Sequence, residues 1–413
     1  MSVGIVIPVW NLWSKMTLPC LLSLAKYTNI TEIHVYLVDN ASTDETKEKA
    51  EQIGIQLFSK EHFTYIKNQE NLGFAIACNQ GAKEAQKAGH EFILFFNNDT
   101  IVTENWLPPL VKAMDNPRIG MVGPLLLYPD NTVQHCGVVF TPLSKVKHIY
   151  SGFSSQHRCS IKSRKIRIIT GAALLCRTHE FFTFGPFYEE YKNGMEDIDL
   201  CYSYVRAGKI QQVVPTSIVY HYESQTPGRL DNTIDLKNSQ LFCTRNQDII
   251  IDAHIYYAQD GYIPALLKDF TFYACLQNEI KIALNKKIQS NYSDVLCLSM
   301  INDEPFWQDG YHLLIQSLQK QKKYKEALQV CDYLLDHCCF SQHNLELAIY
   351  LAEQTKDVHC YSEVKELREK QIENKKKLIE VNKNKIIKAF WGTDWYQRLL
   401  DTQSLDNTIF GNF

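Results

Sequence analysis

The sequence predicts an α/β domain on a doubly wound, mostly parallel sheet, followed by an all-helical C-terminal region. Three observations carry this reading. Short apolar runs alternate with helical patterns through the first quarter of the chain, and such alternation implies parallel pairing. Polar residues close the apolar runs: Asp39 and Asn40, then Asn68, then Asn97 to Asp99. In a sheet of this kind the ligand crevice lies outside the carboxyl ends of the strands. After about residue 235 strand signals fade, glycine becomes scarce and helical periodicity takes over.

In order, GIVIPVW (4–10) reads as the first strand, and a helical stretch runs from Leu18 to Tyr27. HVYLVDN (34–40) is the second strand, and Ser42-Thr43-Asp44 caps the polar helix that follows. FTYIKN (63–68) is the third strand, with a helix of small residues from Gly73 to Ala88. FILFFNND (92–99) is the fourth. Beyond residue 120 the pattern is mixed: IRIITGAALLC (166–176) is apolar around a central glycine, residues 185–209 are a loop entering a helix, and 211–224 are a strand with a polar tail. In 311–358 two amphipathic helices meet at KQKKYKEAL and the pattern recurs, a partial match to tetratricopeptide-type hairpins. Residues 361–389 form a long helix rich in Lys and Glu, whose plain meaning is a solvated face. The aromatic tail AFWGTDWYQRLL is expected to dock. The expected division is 1–230, a helical connector over 231–300, and a helical domain over 301–413.

The 413 residues carry a formal charge of −3, which gives no global reason to expect a nucleic-acid partner. No apolar run is long enough for a bilayer. MSVGIVIPVW lacks a basic n-region and a small-residue cleavage site, so no signal peptide is expected. Thirteen scattered cysteines, often inside apolar runs and without a CxxC pair, read as reduced thiols packing as small hydrophobes in a cytoplasmic protein.

Two carboxylate groupings and one imidazole stand out. Asp99, at the tip of an apolar strand, suits a hard divalent cation, and an Asx turn explains it equally well. His221 follows another apolar strand; with Asp99 it makes an incomplete coordination shell for Mn²⁺ or Mg²⁺. Glu196, Asp197 and Asp199 cluster at a helix start. Dipole stabilisation accounts comfortably for one acid there, and less well for three in four positions.

IPVWN, VDNASTDET, NLGFAIACNQG, FFNNDT, TGAALLCR, GPFYEEYKNGMEDIDLCYSYVRAGK and IVYHYES occur in this order. Together they resemble the family 2 glycosyltransferases of GT-A (Rossmann-like) fold, above all their rhamnosyltransferase-like bacterial branch. The likeness covers about residues 3–228 and leaves out the helical part. It implies an inverting transfer of a sugar from a nucleotide-diphosphate sugar, UDP- or dTDP-linked, to a hydroxyl. It implies that Pro8 and Trp10 border the nucleoside pocket, that Asp39 bonds the base, and that Asn71 and Gly73 contact the nucleoside. Asn98 and Asp99 are what remains of the metal-binding DxD motif, whose first acid is here the amide Asn97. Asp197 is implied as catalytic base with Glu196 beside it, His221 as late metal ligand, and Ser224 as a diphosphate contact.

The expected acceptor is a cell-surface glycan or lipid-linked oligosaccharide, with a protein or peptide bound by the helical region as the alternative. A homodimer through that region and a peripheral place at the inner face of a membrane are further expectations. A nucleotidyltransferase is disfavoured because PVWNLWSKM lacks a Gly-rich basic loop, and a decayed scaffold because the acids and His221 are retained.

Overall fold

The computed structural model describes residues 2–141, 146–222, 232–247, 249–266 and 271–390, with side chains of 232–236 and 381–390 excepted. Ser224 and most of the aromatic tail lie outside the described residues. Two compact units are present, one within Met1–Val139 and His148–Ile249, the other within Phe140–Lys147 and Ile250–Phe413.

The first unit begins with β1 (Val3–Val9), a π-helical turn and α1 (Leu18–Tyr27). It continues through β2 (Ile33–Asp39), α2 (Thr46–Phe58), β3 (Phe63–Lys67), α3 (Phe74–Lys87), β4 (Phe92–Phe96), β5 (Thr100–Val102), α4 (Leu107–Ala113) and β6 (Ile119–Leu127). In chain order there follow β7 (Val133–His135), then β8 (Val138–Phe140) and β9 (Val146–His148), which run into and out of the second unit's Phe140–Lys147 segment, and then β10 (Arg164–Ile166), β11 (Ala173–Arg177), α5 (Thr178–Phe184), α6 (Glu196–Arg206), β12 (Ile210–His221) and α7 (Asn232–Arg245).

The main sheet runs β10-β12-β6-β11-β4-β1-β2-β3, with β5 on β12 and β7 on β6. β4, β1, β2 and β3 are parallel, as are β6 and β12. β11 is inserted antiparallel between β4 and β6. The carboxyl ends of β1, β2, β3, β4 and β12 therefore share one rim, and the start of β11 joins them there. β1, β2 and β4 read as continuous apolar runs because helices cover both faces. α3 lies close on the sheet because it presents small residues: a Cβ at Gly81 would come within 2.4 Å of Val6. Trp13, Trp106 and Phe96 fill the layer between sheet and helices, and none is more than 1% exposed.

The second unit contains α8 (Ala253–Gln259), a hairpin of β13 (Ile263–Leu266) and β14 (Phe272–Cys275), α9 (Asn278–Ser290), α10 (Asp294–Asp303), α11 (Gln308–Lys320), α12 (Tyr324–Tyr333), α13 (Gln342–Gln354) and α14 (Val358–Phe390). From α10 onward each helix packs on the next, the succession expected of helical hairpins. Ser293 and Ser341 cap α10 and α13 by accepting from Leu296 N and Asn344 N, each at 3.1 Å. Tyr311, Leu314, Leu328, Leu334, Leu345 and Leu351 form its core.

The helical expectation is corrected at the β13–β14 hairpin. Its strands are four residues each, too short to show a period, and Pro264 argues against a strand. In an isolated two-stranded pair Pro264 can sit at an edge. All thirteen cysteines are free. Among the described residues no helix is long and apolar enough to cross a membrane.

Candidate active site

Asp99 and His221 meet because of the strand order. β5 returns antiparallel along β12, so Thr100 stands opposite His221. Tyr222 N donates to the Asp99 carbonyl at 2.9 Å, closing the pair. His221 Nε2 lies 3.0 Å from Asp99 Oδ1, and both side chains are largely buried. Despite that short distance, Asp99 Oδ1 takes no aligned hydrogen bond. The partner of the other ring nitrogen indicates the tautomer. His221 Nδ1 donates to Gln134 Oε1 at 2.6 Å, while Gln134 Nε2 donates to the His221 carbonyl at 3.2 Å. In the neutral ring Nε2 then carries a lone pair, beside the carboxylate oxygen and not aligned on it. Asn97 Nδ2 lies 3.3 Å from the same nitrogen. An orphaned buried carboxylate oxygen opposite an imidazole lone pair is a donor set that fits a divalent cation.

Asp197 reaches the same rim from α6. Gly171, at the lead-in to β11, donates its N–H to Asp197 Oδ2 at 2.7 Å, and Ile198 N donates to Oδ1 at 2.8 Å. One residue on, Ala172 O accepts from Asn97 N at 2.9 Å. Backbone bonds thus link the Asp197 loop to the Asn97–Asp99 tip. Gly171 permits this: a Cβ there would lie 3.2 Å from the Asp197 Cβ. Residues 193–195 all have positive φ, including the non-glycines Asn193 at 54° and Met195 at 74°, a turn that brings the chain into α6.

Glu196 is buried, and its Oε2 accepts from Gly194 N at 2.6 Å, so it ties down that turn. Asp199 is 3% exposed and is bound by Arg245 (Nη2 3.1 Å), Asn246 (2.6 Å) and Tyr191 OH (3.2 Å). The third acid of the cluster is therefore structural.

The nucleoside-side residues lie on the same rim with varied engagement. Asp39 is wholly buried; Oδ1 accepts from Ser42 N at 2.8 Å and Oδ2 from Tyr65 OH at 2.5 Å. Burial and the Asp39 carboxylate both push the Tyr65 phenol up. Asn71 Oδ1 accepts from Gly73 N at 3.0 Å, and Gly73, at φ 85°, opens α3. Asn98 turns away to donate to Thr17 Oγ1 at 2.9 Å. Pro8 is half-buried in β1, whereas Trp10 is 40% exposed just past the strand end.

Sequence reasoning passed over Gln134, Gly171 and Tyr65. The available signal for Gln134 was two adjacent polar residues, Gln134 and His135, inside an apolar stretch. His135 is itself buried, its Nε2 3.5 Å from Thr170 N and its Nδ1 3.1 Å from His148 Nδ1. Burial first, then His148 and His221, holds its pKa well below the usual histidine value. A separate cleft, lined by Tyr27, Glu32, Asn105 and Pro108, contains none of the residues above.

Residues 4–169 match the family model for glycosyl transferase family 2, and this part of the chain is a family 2 glycosyltransferase domain of GT-A fold. The chain is 28% identical over 223 residues to an uncharacterized protein, y4gI, of Sinorhizobium fredii, covering 52% of this chain and 24% of that one. It is 27% identical over 232 residues to N-acetylglucosaminyl-diphospho-decaprenol L-rhamnosyltransferase of Mycobacterium tuberculosis, covering 50% of this chain and 72% of that one. It is 32% identical over 122 residues to the O-antigen biosynthesis protein RfbC of Myxococcus xanthus, covering 28% of this chain and 10% of that one. The match thus spans a quarter or less of two of these relatives.

Proposed function

We propose that this protein is an inverting glycosyltransferase that moves a sugar from a nucleotide-diphosphate sugar to a hydroxyl of a cell-surface glycan or lipid-linked oligosaccharide. One observation carries the reading: Asp99 Oδ1 and His221 Nε2 face each other at 3.0 Å on the sheet rim, with no aligned hydrogen bond on the carboxylate oxygen. Asp99 and His221 would hold Mn²⁺ or Mg²⁺. A cation held there would neutralise charge developing on the diphosphate leaving group. The names of two relatives, one a rhamnosyltransferase for a diphospho-decaprenol lipid and one an O-antigen protein, support the acceptor class.

The chain's own residues do the rest. Asp197 takes the proton from the acceptor hydroxyl as that oxygen attacks the anomeric carbon. The N–H groups of Gly171 and Ile198 fix the orientation of its carboxylate. The diphosphate departs from the opposite face, so the anomeric configuration inverts. Glu196 holds the 193–195 turn that aims Asp197. Trp10, exposed beside the β1 end, offers a face for a nucleobase.

The test is a donor panel of UDP-, dTDP- and GDP-sugars with Mn²⁺. Asp197→Asn should retain nucleotide-induced thermal stabilisation while transfer falls at least a hundredfold, the scale of general-base catalysis. Normal turnover by that variant would overturn the assignment. Asp99→Asn should lose the Mn²⁺-dependent part of the thermal shift.

A further inference from the structure

Gln134 lies in the middle of β7, is 3% exposed and has no role in the chemistry above. Its amide orientation is settled by two partners. Nε2 donates to the carbonyl oxygen of His221 at 3.2 Å, so Oε1 must face the ring of the same residue. That oxygen lies 2.6 Å from His221 Nδ1. An amide oxygen only accepts, so in the neutral ring the proton sits on Nδ1 and Nε2 keeps its lone pair. Asn97 Nδ2, 3.3 Å from Nε2, favours the same tautomer through a longer contact. Without the Gln134 bond, a proton on Nε2 would be held by the charge of the Asp99 carboxylate, whose Oδ1 is 3.0 Å away, and would block that nitrogen.

We propose that Gln134 is the positioning residue of this site: it fixes His221 as the Nδ1–H tautomer and so keeps Nε2 open to a divalent cation shared with Asp99. The inference rests on the assignment of Asp99 and His221 as metal ligands. Outer partners of this kind tune ligand orientation and affinity, commonly by 10–100-fold. β7 holds the glutamine on β6 beside the end of β12, so ring and amide are set by one sheet.

Two variants of the full chain separate the tautomer role from simple packing. Gln134→Met keeps volume but offers no acceptor for Nδ1–H. Gln134→Glu keeps an acceptor for Nδ1–H and loses the donor to the His221 carbonyl. Imidazole ¹⁵N spectra of ¹⁵N-histidine-labelled protein, assigned against His221→Asn, read the tautomer directly. Binding of Mn²⁺ alone, read by electron paramagnetic resonance, reads the site. Wild type and Gln134→Glu should show Nδ1–H at His221; Gln134→Met should show Nε2–H, with Mn²⁺ binding weakened about 10–100-fold. An Nδ1–H ring in Gln134→Met, or an Nε2–H ring in wild type or Gln134→Glu, overturns the proposal. If the tautomers behave as expected but wild type takes up no Mn²⁺, the metal-site reading fails and the control of the ring by Gln134 stands.

Discussion

At the scale of single residues, the site depends on groups that carry no charge. Gly171 supplies an N–H to Asp197 and, by having no side chain, the room for it. Gly171→Ala would press a methyl group toward the Asp197 Cβ at 3.2 Å and displace the carboxylate by a few tenths of an ångström. Small misplacements of a reacting group cost about 10–100-fold in rate. The expected result is a fall in kcat of that order with donor affinity retained, checked by steady-state kinetics alongside donor titration. Histidine burial also sets an acid limit. Burial, then the neighbouring His90, lowers His34 to about 4, and His90 and His312 shift the same way. Unfolded histidine titrates near 6.5, so as pH falls from there toward about 4 the unfolded chain binds protons that the folded chain refuses. Stability is full above about pH 6.5 and declines below it. Melting temperature should therefore drop between pH 6.5 and pH 4, and His34→Asn should flatten that slope; an unchanged slope would exclude His34 as a contributor.

At the scale of elements, α7 buttresses the loop that presents Asp197. Asn238 Oδ1 accepts from Lys192 N at 3.2 Å and its Nδ2 donates to Lys192 O at 3.0 Å. Arg245 stacks 3.5 Å over the Tyr188 ring and pairs with the buried Asp199. Arg245→Ala would leave that carboxylate with only Asn246 and Tyr191. Breaking a buried pair costs 3–5 kcal/mol; with Arg245 about a third exposed, about 2 kcal/mol is expected, read by urea unfolding. Transfer should fall more than donor binding, because the loop carrying Asp197, the proposed base, loosens while the Asp99–His221 tip is untouched. Equal loss of both would show α7 to be a general support only.

At the scale of the molecule, the first unit reaches Ile249, past the last motif that resembles the family. A chain ending at Ile249 should unfold cooperatively and bind nucleotide with Mn²⁺, whereas one ending at Asp231 should lose cooperative unfolding because Asn238, Arg245 and Asn246 are gone. Circular dichroism melts of the two chains decide this.

The sequence by itself determined the alternation of strands and helices, the polar tips at Asp39, Asn68 and Asp99, the acid cluster in the first turn of α6 and the helical hairpins of the second unit. These follow from local periodicity and from residue types at element ends, which short stretches of chain carry on their own. Only the tertiary structure decided that β11 enters antiparallel, that β5 folds back to set Asp99 against His221, and that Asp199 is structural while Asp197 faces the rim. It also decided the parts of Gln134 and Gly171, and the β13–β14 hairpin. Strand order and side-chain partners join residues scores of positions apart, such as Gln134 and His221, and no local pattern encodes which polar group will complete another's hydrogen bond.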